Sequence, residues 1–147
     1  IDEAVHLLQL DRNARPVRYS NLCDREHLVL ADSQKLLQVF INLLSNARDA
    51  SADGQSIEID SLLDPEQVEI TVTDEGSGVA ADIQEQIFEP FFTTKDPGMG
   101  TGLGLPLVYS ILEDMNGRIH LTSPVTESGG TRFNVILKTA EYAQEYL

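Results

Sequence analysis

A chain of 147 residues with 41% hydrophobic content suits one globular domain with a true core, and it has no low-complexity tract that would argue for disorder. A formal charge of −14 and an isoelectric point near 4.3 argue against nucleic acid and anionic membrane surfaces as partners, since both call for a basic face. Cys23 is the only cysteine, which excludes an internal disulfide and a thiolate metal cluster, and no run approaches the ~20 apolar residues of a membrane span.

The chain starts at Ile1 rather than Met, without a signal peptide, and is expected to be one domain, residues 1–147, of a longer protein. Residues 2–14 carry Ala4, Val5, Leu7, Leu8 and Leu10 in a helical pattern that Pro16 closes. Val17–Leu22 and Leu28–Ala31 predict two short strands around a turn at Cys23–His27. Cys23 reads as a bystander thiol. His6 and His27 read as structural, because neither is followed by an acidic partner that would orient its ring.

The clearest helix starts at Asp32 or Ser33, either of which can cap it. Leu36, Phe40, Leu43, Ala47 and Ala50, with Leu37 and Leu44 beside them, make one core-facing arc. Asn42, Asn46 and Asp49 share a flank of that arc. Asparagine is a poor residue for a helix interior, so two on one stripe invite a reason. Their amides either face a ligand, where an amide oxygen suits Mg²⁺, or are ordinary solvated groups.

After a break at Ser51–Gly54, strands are expected at Ser56–Leu62 and Gln67–Thr73, joined through Asp64-Pro65. The second alternates, with Val68, Ile70 and Val72 inward. It runs into Asp74-Glu75-Gly76-Ser77-Gly78, which is either a tight turn or a pocket wall in which Asp74 accepts from an exocyclic amine such as adenine N6. A short helix is predicted at Asp82–Ile87. Phe88, Phe91 and Phe92 then mark a loop hinged on aromatic anchors, and Lys95 is either a phosphate contact or a solvated lysine.

Gly98, Gly100, Gly102 and Gly104 alternate strictly and are followed by a helical pattern at Leu105, Val108, Ile111, Leu112 and Met115. A glycine loop that opens a helix offers unpaired N–H groups and a positive dipole end to phosphate, although a surface turn would use the same residues. Pro106 is tolerated in the first turn, and Gly117 reads as the C-terminal stop. Strands at Arg118–Ser123 and Thr131–Leu137 close the domain, with His120 structural and Glu141–Leu147 a helix or a frayed end.

Taken together, Gln38–Ala50, Asp74–Gly78, Phe88–Lys95 and Gly98–Leu105 resemble the N, G1, F and G2 boxes of the catalytic and ATP-binding domain of sensor histidine kinases, within the wider ATPase family that includes gyrase B and MutL. Each box alone is weak; four at sensible spacing are strong. The Phe-Phe-Thr-Thr-Lys and Gly-Thr-Gly-Leu-Gly-Leu wording is most similar to the nitrogen-regulation type. The resemblance implies an α/β fold: a two-layer α/β (Bergerat) sandwich, with a mixed, mostly antiparallel sheet of about five strands, helices packed on one face and a mobile ATP lid at residues 88–104.

It also implies site roles. Asn46 matches the Mg²⁺ ligand, and Asn42 lies one turn before it beside the triphosphate; both are the catalytic candidates. Asp74 matches the acceptor of adenine N6, and Gly76, Gly78 and Val79 line the base. Asp49, Phe88, Lys95, Gly100, Thr101, Gly102, Leu103, Gly104 and Leu105 complete the nucleotide contacts, and Thr131 resembles a last-strand threonine that shares a water with the aspartate.

Hydrolysing relatives place a glutamate at the Asn42 position, and asparagine cannot serve there as a general base. The implied reaction is therefore transfer of the γ-phosphoryl group of Mg-ATP to a histidine on a separate dimerisation domain, then to a response-regulator aspartate. The implied setting is cytoplasmic, with an isolated domain that is monomeric and touches no membrane itself. A serine-kinase anti-sigma factor has similar boxes, but that family usually carries the glutamate at the Asn42 position and a less regular glycine loop. A nucleotide-binding regulatory module without transfer activity is the other alternative.

Overall fold

Asp32 caps the central helix: its Oδ1 accepts from the N–H groups of Gln34 and Lys35 at 3.0 and 3.2 Å, satisfying donors that the first turn leaves unpaired. In the computed structural model, which describes residues 1–11, 16–92 and 104–141, this helix is α2 (Ser33–Ala50). It follows α1 (Asp2–Gln9) and β1 (Arg18–Asn21) and precedes β2 (Ser56–Leu63), β3 (Gln67–Asp74), α3 (Gly104–Asp114), β4 (Arg118–Thr122) and β5 (Thr131–Lys138). The strands make one sheet in the order β1-β2-β3-β5-β4. The β1–β2 pair is parallel and the other pairs are antiparallel, which is the expected mixed, mostly antiparallel sheet.

Period-two alternation decides which face is covered. Val68, Ile70, Val72 and Asp74 of β3 are buried while the residues between them are not, and β5 buries Thr131, Phe133, Val135 and Leu137 in the same way. Onto that face packs α2, with α1 and α3 against its sides. The core lies between the layers, where Leu43 and Leu44 of α2 meet Ile57, Ile59, Val72 and Val135 of the sheet and Val108 and Leu112 of α3. Truncating Leu43 to alanine at this fully buried position would cost about 3 kcal/mol. No described helix is long and apolar enough to cross a membrane.

Local expectations fail in four places. The buried arc of α2 is Val39, Phe40, Leu43, Leu44 and Ala47; Ala50, assigned to it from sequence, is exposed because the helix ends there. Leu28–Ala31 is not a strand: it makes one bridge, Val29 to Thr139, and leaves Leu28 and Leu30 63% and 59% exposed. Residues 82–87 form successive turns closed by i→i+3 bonds, such as Gln86 N–H to Ile83 O at 2.9 Å, and not an α-helix. The stop after α3 is Asn116, at φ 58°, rather than Gly117. Gly117 is needed for another reason: a Cβ there would lie 2.9 Å from the carbonyl oxygen of Ile136.

Candidate functional site

Asp74 is the last residue of β3 and faces Thr131, the first residue of β5, in register. Both are only 5% exposed. The alternation that buries Val68, Ile70 and Val72 carries Asp74 to the same helix-covered face, which puts a carboxylate at the rim of the core. Burial pushes its pKa above the ordinary aspartate value, while the backbone N–H groups of Gly76 and Thr131 pull it back down. The Gly76 N–H donates to Asp74 Oδ1 at 2.8 Å. Two such donors occupy only part of a carboxylate's acceptor capacity, so Asp74 can still receive an N–H from a ligand.

The turn after Asp74 needs its glycines. A Cβ on Gly76 would stand 2.4 Å from the carbonyl oxygen of Ala50, so only glycine lets the turn lie against the end of α2. Gly78 has φ +84°, a region side chains rarely adopt, and a Cβ there would reach within 2.8 Å of Ser123 Oγ. Val79 is half-buried and packs against the core. Here a glycine-lined backbone wall and a buried acceptor stand together.

On α2, Asn42 Nδ2 donates to the Gly104 carbonyl at 3.4 Å, and its Oδ1 accepts from Gln38 Nε2 at 3.2 Å. The first of these ties the asparagine flank to the start of α3. Asn46, one turn further on, is half-buried and has no side-chain hydrogen bond among the described residues. Asp49 is exposed and lies 3.8 Å from Arg48 Nε, which in turn places Nη1 3.8 Å from Asp11. A Cβ on Gly104 would project into open space, and Leu105 packs against the core.

Phe88 is an anchor, with ring centroids 5.8 Å from Tyr109 on α3 and 6.4 Å from Phe133 on β5. Phe92 also packs against the core, whereas Phe91 sits at φ 67° and is 74% exposed, so two of the three phenylalanines hold the loop. Lys95, Gly100, Thr101, Gly102 and Leu103, and with them most of the expected lid, lie outside the described residues.

Magnesium fits this residue set. Mg²⁺ is typically held by one or two protein oxygens with the rest from phosphates and water. The side-chain amide of Asn46, with no hydrogen bond among the described residues, could supply one such oxygen.

Sequence reasoning missed the groups that back the Asp74 turn: Gln84, Ser123, Gly129 and Gly130. The Gly129-Gly130 pair was a visible signal ahead of the last strand; Ser123 and Gln84 carry no local one. A cavity of about 430 Å³ opens elsewhere, among Cys23, His27, Phe40 and Ser61, and shares no residue with this site.

A five-stranded mixed sheet covered on one face by helices matches histidine-kinase catalytic domains of known structure. The catalytic domain of histidine kinase ThkA superimposes with a TM-score of 0.80 at 32% identity, covering 95% of this chain and 91% of that one. The mycobacterial sensor histidine kinase MprB shares the fold with a TM-score of 0.81 at 23% identity, over 95% of this chain and 91% of that one.

Residues 31–141 match the family described as histidine kinase-, DNA gyrase B- and HSP90-like ATPase, and the chain belongs to that family. Sensor kinase CckA of Brucella abortus is 40% identical over 74% of this chain, and sporulation kinase A of Bacillus subtilis 35% identical over 92%. Sensor histidine kinase ZraS of Escherichia coli O157:H7 is 38% identical over 93%. The chain spans 13%, 22% and 29% of the lengths of these three proteins.

Proposed function

We propose that this chain is the catalytic and ATP-binding domain of a sensor histidine kinase. It binds Mg-ATP and passes the γ-phosphoryl group to a histidine on the dimerisation domain of the same protein, for onward transfer to a response-regulator aspartate. The observation that carries the reading is the buried Asp74 carboxylate, held by the Gly76 N–H at 2.8 Å in a turn that only glycine permits. An acceptor with spare capacity beside a side-chain-free wall suits the N6 amine and flat face of adenine.

The remaining roles follow from that placement. Gly76, Gly78 and Val79 line the base, with Thr131 beside Asp74. Asn46 supplies the amide oxygen for Mg²⁺, which when bound neutralises charge on the phosphate oxygens. Asn42 lies next to the triphosphate and orients rather than abstracts, because an amide takes no proton at neutral pH. Water is therefore a poor nucleophile here, and the acceptor imidazole attacks phosphorus as the bond to the bridging oxygen of ADP breaks. The protein's share is positioning.

The reading extends to one domain over residues 1–147, of the nitrogen-regulation type, cytoplasmic, and monomeric when isolated. Incubation with labelled ATP and the parent's dimerisation domain tests it. Label on the partner that is lost in acid and kept in base is the expected result; acid-stable label points to a serine acceptor. Calorimetry that detects no adenine nucleotide on the wild-type chain would end the proposal.

A further inference from the structure

The turn that follows Asp74 is held from outside by two side chains that belong to no predicted box. Ser123, just past β4, accepts the Val79 N–H on Oγ at 2.8 Å and donates the same hydroxyl to the Gly130 carbonyl at 2.8 Å. Gln84 donates Nε2 to the Val79 carbonyl at 2.9 Å and to the Ser123 carbonyl at 3.0 Å. The main chain adds one more tie, from Gly130 N–H to Gly76 O at 2.8 Å.

These contacts concentrate on one peptide stretch. Gly78 turns the chain at φ +84°, where a Cβ would lie 2.8 Å from Ser123 Oγ, and Val79 follows with both backbone groups engaged by Ser123 and Gln84. A hydroxyl that bridges an N–H on one segment and a C=O on another sets the separation of the two. Its single donor and one of its lone pairs are both used. Removing it leaves two partly buried backbone groups unpaired, which the turn relieves by moving towards water.

We propose that Ser123 and Gln84 are positioning residues for adenine. Acting through Gly78 and Val79, they hold the turn in the shape that leaves room for the base beside Asp74. The proposal rests on the reading of Asp74–Val79 as the base site.

Calorimetric titration of the 147-residue chain with ADP tests it. Ser123→Ala is expected to weaken binding about tenfold, and Gln84→Ala a few-fold. Ser123→Thr keeps the hydroxyl and is expected to bind as the wild type does. The Val79 amide resonance should shift in Ser123→Ala and return in Ser123→Thr. Equal affinity of wild type and Ser123→Ala, or a loss in Ser123→Thr as large as in Ser123→Ala, overturns the positioning role and leaves the base site standing. A wild type that binds no ADP overturns both. Should Ser123→Ala not fold by circular dichroism, unchanged affinity in Gln84→Ala is the overturning result.

Discussion

The two ends of the site are built differently. Around Asp74, polar groups are engaged within the protein: the carboxylate by Gly76, the Val79 peptide by Ser123 and Gln84, and the Gly76 carbonyl by Gly130. On α2, Asn42 holds two longer contacts of 3.2 and 3.4 Å, and Asn46 has none among the described residues. One end is preorganised by backbone packing before any ligand arrives. The other presents one amide in long contacts and one, Asn46, with no partner among the described residues. Preorganisation suits recognition of a rigid base, since ordering costs are met in folding. Loosely held or free amides suit a metal and phosphates, whose arrangement changes during transfer.

The sharpest way to break this contrast is at Gly76. A Cβ there would sit 2.4 Å from a backbone oxygen, so Gly76→Ala should lose about 3 kcal/mol of stability in urea denaturation. Gly54 is the control, with φ +80° and nothing within 4 Å, so Gly54→Ala should lose only about 1 kcal/mol of backbone strain. Equal losses would mean that close approach is not what constrains the turn.

Asp74→Asn replaces an acceptor by an amide that can present a donor. It should weaken ADP binding by about 2 kcal/mol, some thirty-fold, in calorimetry. Asn46→Ala comes next: about a tenfold loss of ADP affinity in Mg²⁺ and none in a chelator. A variant that loses as much in chelator would assign Asn46 to packing instead of metal.

The smallest effect is pH dependence. The pKa of Asp74 is raised by burial, so the folded state holds its proton more tightly than the unfolded chain does. Its contribution to stability is thus greatest below the unfolded pKa and declines as pH rises through the folded value. ADP binding runs the other way, weakening on acidification as the carboxylate protonates, from a higher pH than an ordinary aspartate would show. Asp74→Asn should flatten both trends.

Much of the scaffold was legible because it depends on near neighbours. The Asp32 cap, the α2 arc and the alternation in β3 are set within a few residues; they placed Asn42 and Asn46 on their helix and Asp74 at the end of a strand that runs one residue further than expected. The failures share a cause as well. Leu28–Ala31 has the apolar character of a strand, but the sheet offers it only the end of β5 as a partner, so Val29 makes a single bridge. Asn116 and Gly117 both suit a left-handed stop; contact with β5 reserves the glycine for close approach and leaves the stop to asparagine.

By itself, then, the sequence determined most of the helices and strands, though not the fate of Leu28–Ala31 or of residues 82–87, along with the resemblance of four stretches to the boxes of a kinase-like ATPase and the inability of Asn42 to act as a base. Only the tertiary structure decided that Asp74 is buried, that Gly76 abuts the end of α2, and that Ser123 reaches across 44 residues of chain to Val79. The reason is range. Periodicity, caps and turn types are local and can be read in order, whereas a hydrogen bond between distant segments exists only once the sheet has set their register.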